Sequence, residues 1–349
     1  MKAAVFHAKE DLRIEQVDEP VVGPGQVKLR NAFAGICGSD LHVYYAPEAS
    51  GLDLSKPHPL TGATLPQILG HEFSGTVVEL GEGVTDVAVG DRVAVWPIYS
   101  CGECVACRRG MFNACRTIGF HGLTSHGGGM SEFTTVPAGN VHVLPENVDL
   151  RMGALVEPMA VAWHAVNRAE MPENGTALIA GAGPIGIGVW FALKARGIDR
   201  VLVSEPSAER REIIAALGAT VIDPVNGDLA AAVAELTDGD GVDAAFDAAG
   251  AGPAITSALP QLTPGGKVVV VAIHERPIDL LPTQLVATEI GIFGTLGQLP
   301  EDYEDVIAAM ARGVYDTTGW VQEVELDGVV DAMTALRGGA GAKMLVKAG

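Results

Sequence analysis

Two hydrophobic rhythms divide the chain near residue 153. Over residues 1–155 the apolar positions come in short Val/Ile-rich runs such as "QVKLRNAF" (26–33), "FSGTVVEL" (73–80) and "DRVAVW" (91–96), separated by Gly/Pro turns. Runs of that length bounded by turn residues predict β-strands. Beyond residue 153, apolar runs alternate with Ala/Leu/Glu-rich helical stretches: "GTALIAG" (175–181), "RVLVSEP" (200–206), "VDAAFDAAG" (242–250) and "GKVVVVAI" (266–273). Buried strands alternating with helices predict a parallel α/β sheet. After residue 294 a helical stretch, "EDYEDVIAAMARG", leads to a closing segment ending "KMLVKAG". The expected layout is a doubly wound sheet inserted into a discontinuous β-rich domain, with no repeats and no low-complexity tract.

At 349 residues the chain is long enough for two cores, and 48% hydrophobic residues with 44 glycines suit a globular α/β protein rich in tight turns. The formal net charge is −20, from 43 acidic against 23 basic residues. Such a surface repels phosphate backbones and anionic lipid, which argues against nucleic-acid and membrane partners. The N-terminus "MKAAVFHAKEDLRIEQ" becomes charged too soon for a signal peptide, and no run reads as a membrane span. A cytoplasmic protein is expected, where thiols stay reduced and clustered cysteines bind metal.

The run "ALIAGAGPIGIGVWFALKARG" places Gly181, Gly183 and Gly186 between an apolar strand and a helix. The first glycine suits a tight turn, the second a close approach to pyrophosphate, and the third close packing of helix on strand. Pro184 and Ile185 lie between the last two, and phosphate oxygens would meet the free N–H groups of the helix N-terminus there. Glu205 ends the next strand 19 residues after Gly186, where a carboxylate can accept both adenosine ribose hydroxyls and repel a 2′-phosphate. NAD is therefore expected rather than NADP. Arg210 and Arg211 follow closely and pull the other way, and Arg210 counts among the residues expected near the cofactor.

Cys101, Cys104, Cys107 and Cys115 form C-x2-C-x2-C-x7-C, a spacing that wraps four thiolates around one tetrahedral zinc with no open position. A closed site of this kind is structural. An iron–sulfur cluster also accepts four cysteines, but the surrounding strand-and-turn sequence offers no electron-transfer context. The fifth cysteine, Cys37, lies in "GICGSDLH" and reads either as a small apolar residue in a turn or as a metal ligand. "LGHEFSG" adds His71 and Glu72, and "GALVEPMAVAWHA" adds Glu157. A thiolate, an imidazole and a carboxylate with one open position describe a catalytic zinc site.

Taken in order, "GICGSDLH", "GHEFSG", the four-cysteine lobe, "VEP" and "GAGPIG" make the whole chain resemble the zinc-dependent medium-chain alcohol/polyol dehydrogenases. Within that family, "HPLTG" (58–62), "LGHEFSGTVVELGEGVTDVAVGDRV" (69–93) and "GALVEPMAVAWHAV" (153–166) are most similar to the 2,3-butanediol (acetoin) dehydrogenases. The resemblance implies a GroES-like catalytic domain at 1–157 and 295–349 around a Rossmann NAD-binding domain at 158–294. It implies two zinc ions per chain, and assigns Cys37 and His71 to the catalytic one. The third ligand is Glu72 or Glu157, directly or through water, with Glu72 also counted as a catalytic residue. Asp40 would orient His71, while Ser39 and His42 would carry the proton away. Val271, Ala272, Thr295 and Leu296 would lie beside the nicotinamide, their alternative being ordinary core strand.

The expected substrate is a small alcohol, a vicinal diol, or the matching hydroxyketone. The first choice is (R,R)-2,3-butanediol oxidised to acetoin; the alternatives are sorbitol or another polyol, threonine, or a general secondary alcohol. A catalytically dead nucleotide-binding relative is the competing class. It should lack the zinc-site residues that are all present here. A homodimer or homotetramer is implied. The chain departs from the pattern at Trp96, where diol and sorbitol relatives are expected to carry a glutamate, and in the long proline-rich stretch between Cys37 and His71.

Overall fold

The structure, a computed structural model, describes residues 1–49 and 54–349; residues 50–53 of the stretch between Cys37 and His71 lie outside the described residues. The chain divides into two compact units. One comprises 1–157, 299–311 and 320–349; the other comprises 158–298 and 312–319. Residues 295–298 and 312–319, which the sequence reading grouped with the β-rich domain, thus fall in the second unit.

The first unit is organised by one long strand, Gln26–Gly35, with partners on both edges. It pairs antiparallel with Glu72–Leu80, with Phe133–Pro137 and with the C-terminal strand Lys343–Lys347. The register sets Gly35 opposite Glu72 on one side and opposite Leu345 on the other. Glu72 and the C-terminal strand, some 270 residues apart in sequence, are thereby brought to the two sides of one residue. Leu29, Leu69, Phe73 and Met130 fill the core beneath, essentially without exposure. Full burial of such side chains contributes about 1.5–3 kcal/mol each, which is what holds this register against slippage.

The second unit is a six-stranded parallel sheet. Its strands are Thr176–Ala180, Arg200–Ser204, Thr220–Ile222, Val242–Asp247, Leu262–Val270 and Gly291–Gly294. Numbered in that chain order they lie in space as 3-2-1-4-5-6, the doubly wound arrangement. Every residue of Thr176–Ala180 is buried, as expected for a strand covered on both faces. The order reverses between this strand and Val242–Asp247, and the Gly-rich turn leaves the sheet at that point. Ligands of such sheets bind outside the carboxyl ends of the strands, at this reversal.

Candidate active site and metal centres

Cys37 stands where the long strand gives way to the helix Gly38–Tyr45. Its carbonyl accepts from the N–H groups of Asp40 (3.1 Å) and Leu41 (3.3 Å), while its own N–H donates to Asp40 Oδ2 at 2.9 Å. Asp40 therefore fastens the first helical turn onto the cysteine. Its second oxygen, Oδ1, faces His71 Nδ1 at 3.3 Å. Neither of these two buried atoms completes a hydrogen bond. With Nδ1 directed at a carboxylate, Nε2 is left as the lone-pair donor, 3.1 Å from Ser39 Oγ. The ligand atoms of Cys37, His71 and Glu72 all lie within 4.8 Å of one another.

Charge decides what this cluster accepts. Burial works against a charged His71 ring, but Asp40 and Cys37 outweigh it and raise the imidazole well above its ordinary value. Lys343 is buried too, and Glu72, Cys37 and Glu157 together raise its ammonium against the same penalty. The site is a buried anionic hole in which positive charge is stabilised. Its donor set of thiolate, imidazole and carboxylate fits zinc, and the misaligned Asp40–His71 contact fits a ring that a metal would hold from its far side. Glu157, at the start of the helix Val156–Ala169, is buried and near enough for its charge to act on Lys343, but it stands outside the group of three. Ser39 and His42 share the helix Gly38–Tyr45 at i, i+3 spacing, and so one face of it.

The four cysteines gather on a loop of short 3₁₀ turns, Cys107–Arg109 and Phe112–Ala114. None forms a disulfide. Cys104 and Cys107 sulfurs are 3.5 Å apart, Cys115 and Cys101 3.5 Å, and Cys101 and Cys107 3.9 Å. Four sulfurs at about 2.3 Å from one zinc would be separated by about 3.8 Å, so the set fits that ion with little movement. Backbone N–H groups point at these sulfurs, Cys104 N–H to Cys101 Sγ and Cys101 N–H to Cys115 Sγ at 3.3 Å each. N–H groups of Cys107 and Arg116 lower the Cys104 thiol to about 6, the thiolate that a metal requires.

In the parallel unit the Gly-rich turn behaves as its sequence suggests. Gly181 has φ +104, a conformation that disfavours any side chain. A Cβ on Gly186 would overlap the Gly181 carbonyl oxygen. A Cβ on Gly183 would instead meet nothing within 4 Å, leaving open space at the start of the helix Pro184–Ala195. Pro184 occupies the first turn, where its missing N–H costs nothing, and Ile185 follows it. Glu205 is buried at the end of Arg200–Ser204; Oε2 accepts from Ala182 N–H (2.7 Å) and Oε1 from Ser207 N–H (2.8 Å). Each oxygen keeps a lone pair for a further donor. Arg211 is committed to the Glu205 carbonyl and to Asp223, whereas Arg210, within the helix Ala208–Ala216, donates its N–H to the capping Ser207 Oγ.

Val271 and Ala272 follow the strand Leu262–Val270, and both of their N–H groups donate to the Asp247 carbonyl. Thr295 donates its N–H to Val270 and keeps a buried Oγ1 with no partner, and Leu296 is exposed. Two features here went unnoticed in the sequence. Asp247 also bonds His274 Nε2 at 2.5 Å, clasping the loop that carries Val271 and Ala272. Lys343, whose only sequence signal was a charge inside an apolar closing strand, ion-pairs with Glu72.

A zinc-ligand cluster on a β-rich unit, and in the same chain a doubly wound sheet with a phosphate-binding turn, define a metal-dependent dehydrogenase. Residues 23–146 match the alcohol dehydrogenase GroES-like domain and residues 184–312 the zinc-binding dehydrogenase domain, and the chain belongs to this zinc-dependent medium-chain dehydrogenase family. An (R,R)-butanediol dehydrogenase of Bacillus subtilis is 39% identical over 333 residues, 95% of this chain and 94% of that one. A sorbitol dehydrogenase of the same organism is 32% identical over 336 residues, 95% and 92% of the two chains. The crystal structure of 2R,3R-butanediol dehydrogenase from Bacillus subtilis matches with a TM-score of 0.91 at 38% identity, covering 99% of each chain. Among the described residues no helix is long and apolar enough to cross a membrane.

Proposed function

We propose that the enzyme oxidises a vicinal diol with NAD, (R,R)-2,3-butanediol to acetoin, and runs the reverse reduction. The observation that carries this reading is the grouping of Cys37, His71 and Glu72 within ligand distance in a buried anionic pocket. The 39% identity to a butanediol dehydrogenase supplies the substrate class. Bound zinc supplies Lewis acidity to the substrate hydroxyl, and bound NAD supplies the hydride acceptor.

The chain's own residues do the rest. Cys37, His71 and a carboxylate from Glu72 or Glu157 would hold the metal and leave it open to substrate. Asp40 fixes the His71 ring. Ser39 takes the hydroxyl proton and His42 passes it to solvent, so that diol and NAD become hydroxyketone, NADH and a released proton. Gly183, Ile185 and Gly186 offer backbone N–H groups to the pyrophosphate, on a turn shaped by Gly181 and Pro184. Glu205 accepts the adenosine ribose hydroxyls, with Arg210 nearby. Val271, Ala272, Thr295 and Leu296 border the nicotinamide. Cys101, Cys104, Cys107 and Cys115 hold the structural zinc. We further read the protein as a cytoplasmic homodimer or homotetramer, in keeping with its unpaired thiols and the exposed apolar side chains of Ile273, Leu281 and Val286.

Initial rates of NADH formation with (R,R)-, meso- and (S,S)-2,3-butanediol, sorbitol and threonine test the substrate. Preference for R-configured diols is expected; equal or better rates on sorbitol or threonine would overturn the substrate but leave the chemistry. Glu205→Ala should raise KM for NAD by about 10- to 100-fold, the scale of losing hydrogen bonds to a charged group. An unchanged KM would remove Glu205 from the ribose.

A further inference from the structure

Lys343 is a fully buried lysine at the edge of the proposed catalytic metal site. Its backbone N–H is anchored on the Trp320 carbonyl at 3.0 Å, so the position of its side chain follows from the sheet. Nζ donates to the Ile36 carbonyl at 3.0 Å and forms an ion pair with Glu72 Oε2. The long strand makes room for this pair at Gly35, which lies opposite Glu72 in one direction and Leu345 in the other. A Cβ on Gly35 would overlap Glu72 Oε2 and stand 2.9 Å from Lys343 Cε and 3.0 Å from Nζ. Glycine inside a strand loses more conformational freedom on folding than any other residue, so the fold gives up stability here to seat a buried ion pair. Buried ion pairs are themselves poor stabilisers, because desolvation offsets their attraction. A role at the metal explains the pair better than a role in folding.

We infer that Lys343 is a positioning residue that holds Glu72 partly away from the metal and thereby sets how firmly the inner metal is bound; this rests on reading Cys37, His71 and Glu72 as the ligands. A carboxylate oxygen engaged by an ammonium donates less to a dication, and the ammonium itself repels that dication at short range. Both effects weaken metal binding and keep the second Glu72 oxygen from competing with substrate for the metal. Removing the ammonium gives Glu72 wholly to the metal, so the metal is held more tightly and turnover slows.

The test compares zinc release to excess chelator from wild type, Lys343→Met and Lys343→Arg, with visible spectra of the cobalt-substituted proteins. Two zinc ions per wild-type chain, falling to one in Cys37→Ala, would establish the underlying site whatever Lys343 does. Lys343→Met is expected to slow release of the inner zinc by about tenfold or more and to alter the cobalt spectrum, with Lys343→Arg restoring both. In a Glu72→Gln background the Lys343→Met change should slow release by less than it does alone, because only the direct repulsion is then removed. Should Lys343→Met fail to fold, Lys343→Gln keeps a donor for the Ile36 carbonyl without the charge and is expected to slow release likewise. Release at the wild-type rate or faster would overturn the role of Lys343, whereas a wild type with lobe zinc alone would sink the site reading and this inference together.

Discussion

His71 and His121 lie in the same β-rich unit and are buried to nearly the same depth, 4% and 2% exposed, yet their proton affinities move in opposite directions. His121 meets neutral partners: Tyr99 Oη at 2.9 Å and Ser125 Oγ at 3.3 Å on Nδ1, Thr134 Oγ1 at 2.9 Å on Nε2, and the tilted ring of Phe73. With no charge to compensate, burial pushes it down to about 3. His71 meets the same desolvation, but Asp40 and Cys37 overcome it. Depth does not make an imidazole a metal ligand; the surrounding anions do. A hydroxyl-lined histidine is satisfied and inert, while one ringed by a thiolate and carboxylates stabilises a cation.

The largest effect should come from removing the thiolate that separates the two settings. Cys37→Ala is expected to lower zinc from two per chain to one and to cut turnover by at least about 10²- to 10³-fold, the scale of losing one preorganised electrostatic group. Metal analysis beside initial rates checks this; full activity with both ions retained would erase the distinction between the histidines. Asp40→Asn is milder. It keeps an acceptor for the Cys37 N–H but removes the charge facing His71 Nδ1, so affinity for the inner zinc should fall about 10- to 100-fold. Chelator competition reads that loss directly.

His121→Gln probes the other side of the comparison. It should leave two zinc ions and an unchanged KM for NAD, while leaving buried hydroxyls poorly paired at a cost of about 1–3 kcal/mol. Denaturant unfolding would report it, and loss of a zinc ion in this variant would show that the hydroxyl-lined histidine is not inert.

How much of this could be read beforehand depended on distance along the chain. The four-cysteine lobe and the Gly181/Gly183/Gly186 turn lie within single short segments, so their spacing already encodes geometry. Cys37, His71 and Glu72 are separated in sequence but are recognisable by residue type, and the long strand brings them together. The pairing of Lys343 was invisible because its partner lies 271 residues away, and only the register of two strands about Gly35 joins them. His121 carried no signal either. Its character comes from Tyr99, Ser125 and Thr134, ordinary hydroxyl residues until the sheet assembles around the ring.

The smallest effect concerns acid. Folded His121 takes up its proton only near pH 3, whereas an unfolded histidine does so near about 6.5. Below that upper value the unfolded chain binds the extra proton and the native chain does not, so His121 makes stability fall as pH drops from about 6.5 toward 3. Between pH 7 and pH 5.5 the loss from this one group is about 1 kcal/mol. Every other titrating group contributes equally to wild type and to His121→Gln, so the difference between their pH dependences isolates the ring. Wild type should lose that extra kilocalorie in urea unfolding at pH 5.5, and the variant should not. Identical pH dependence in the two proteins would mean that water or an anion reaches His121, and the contrast with His71 would fail at its simpler end.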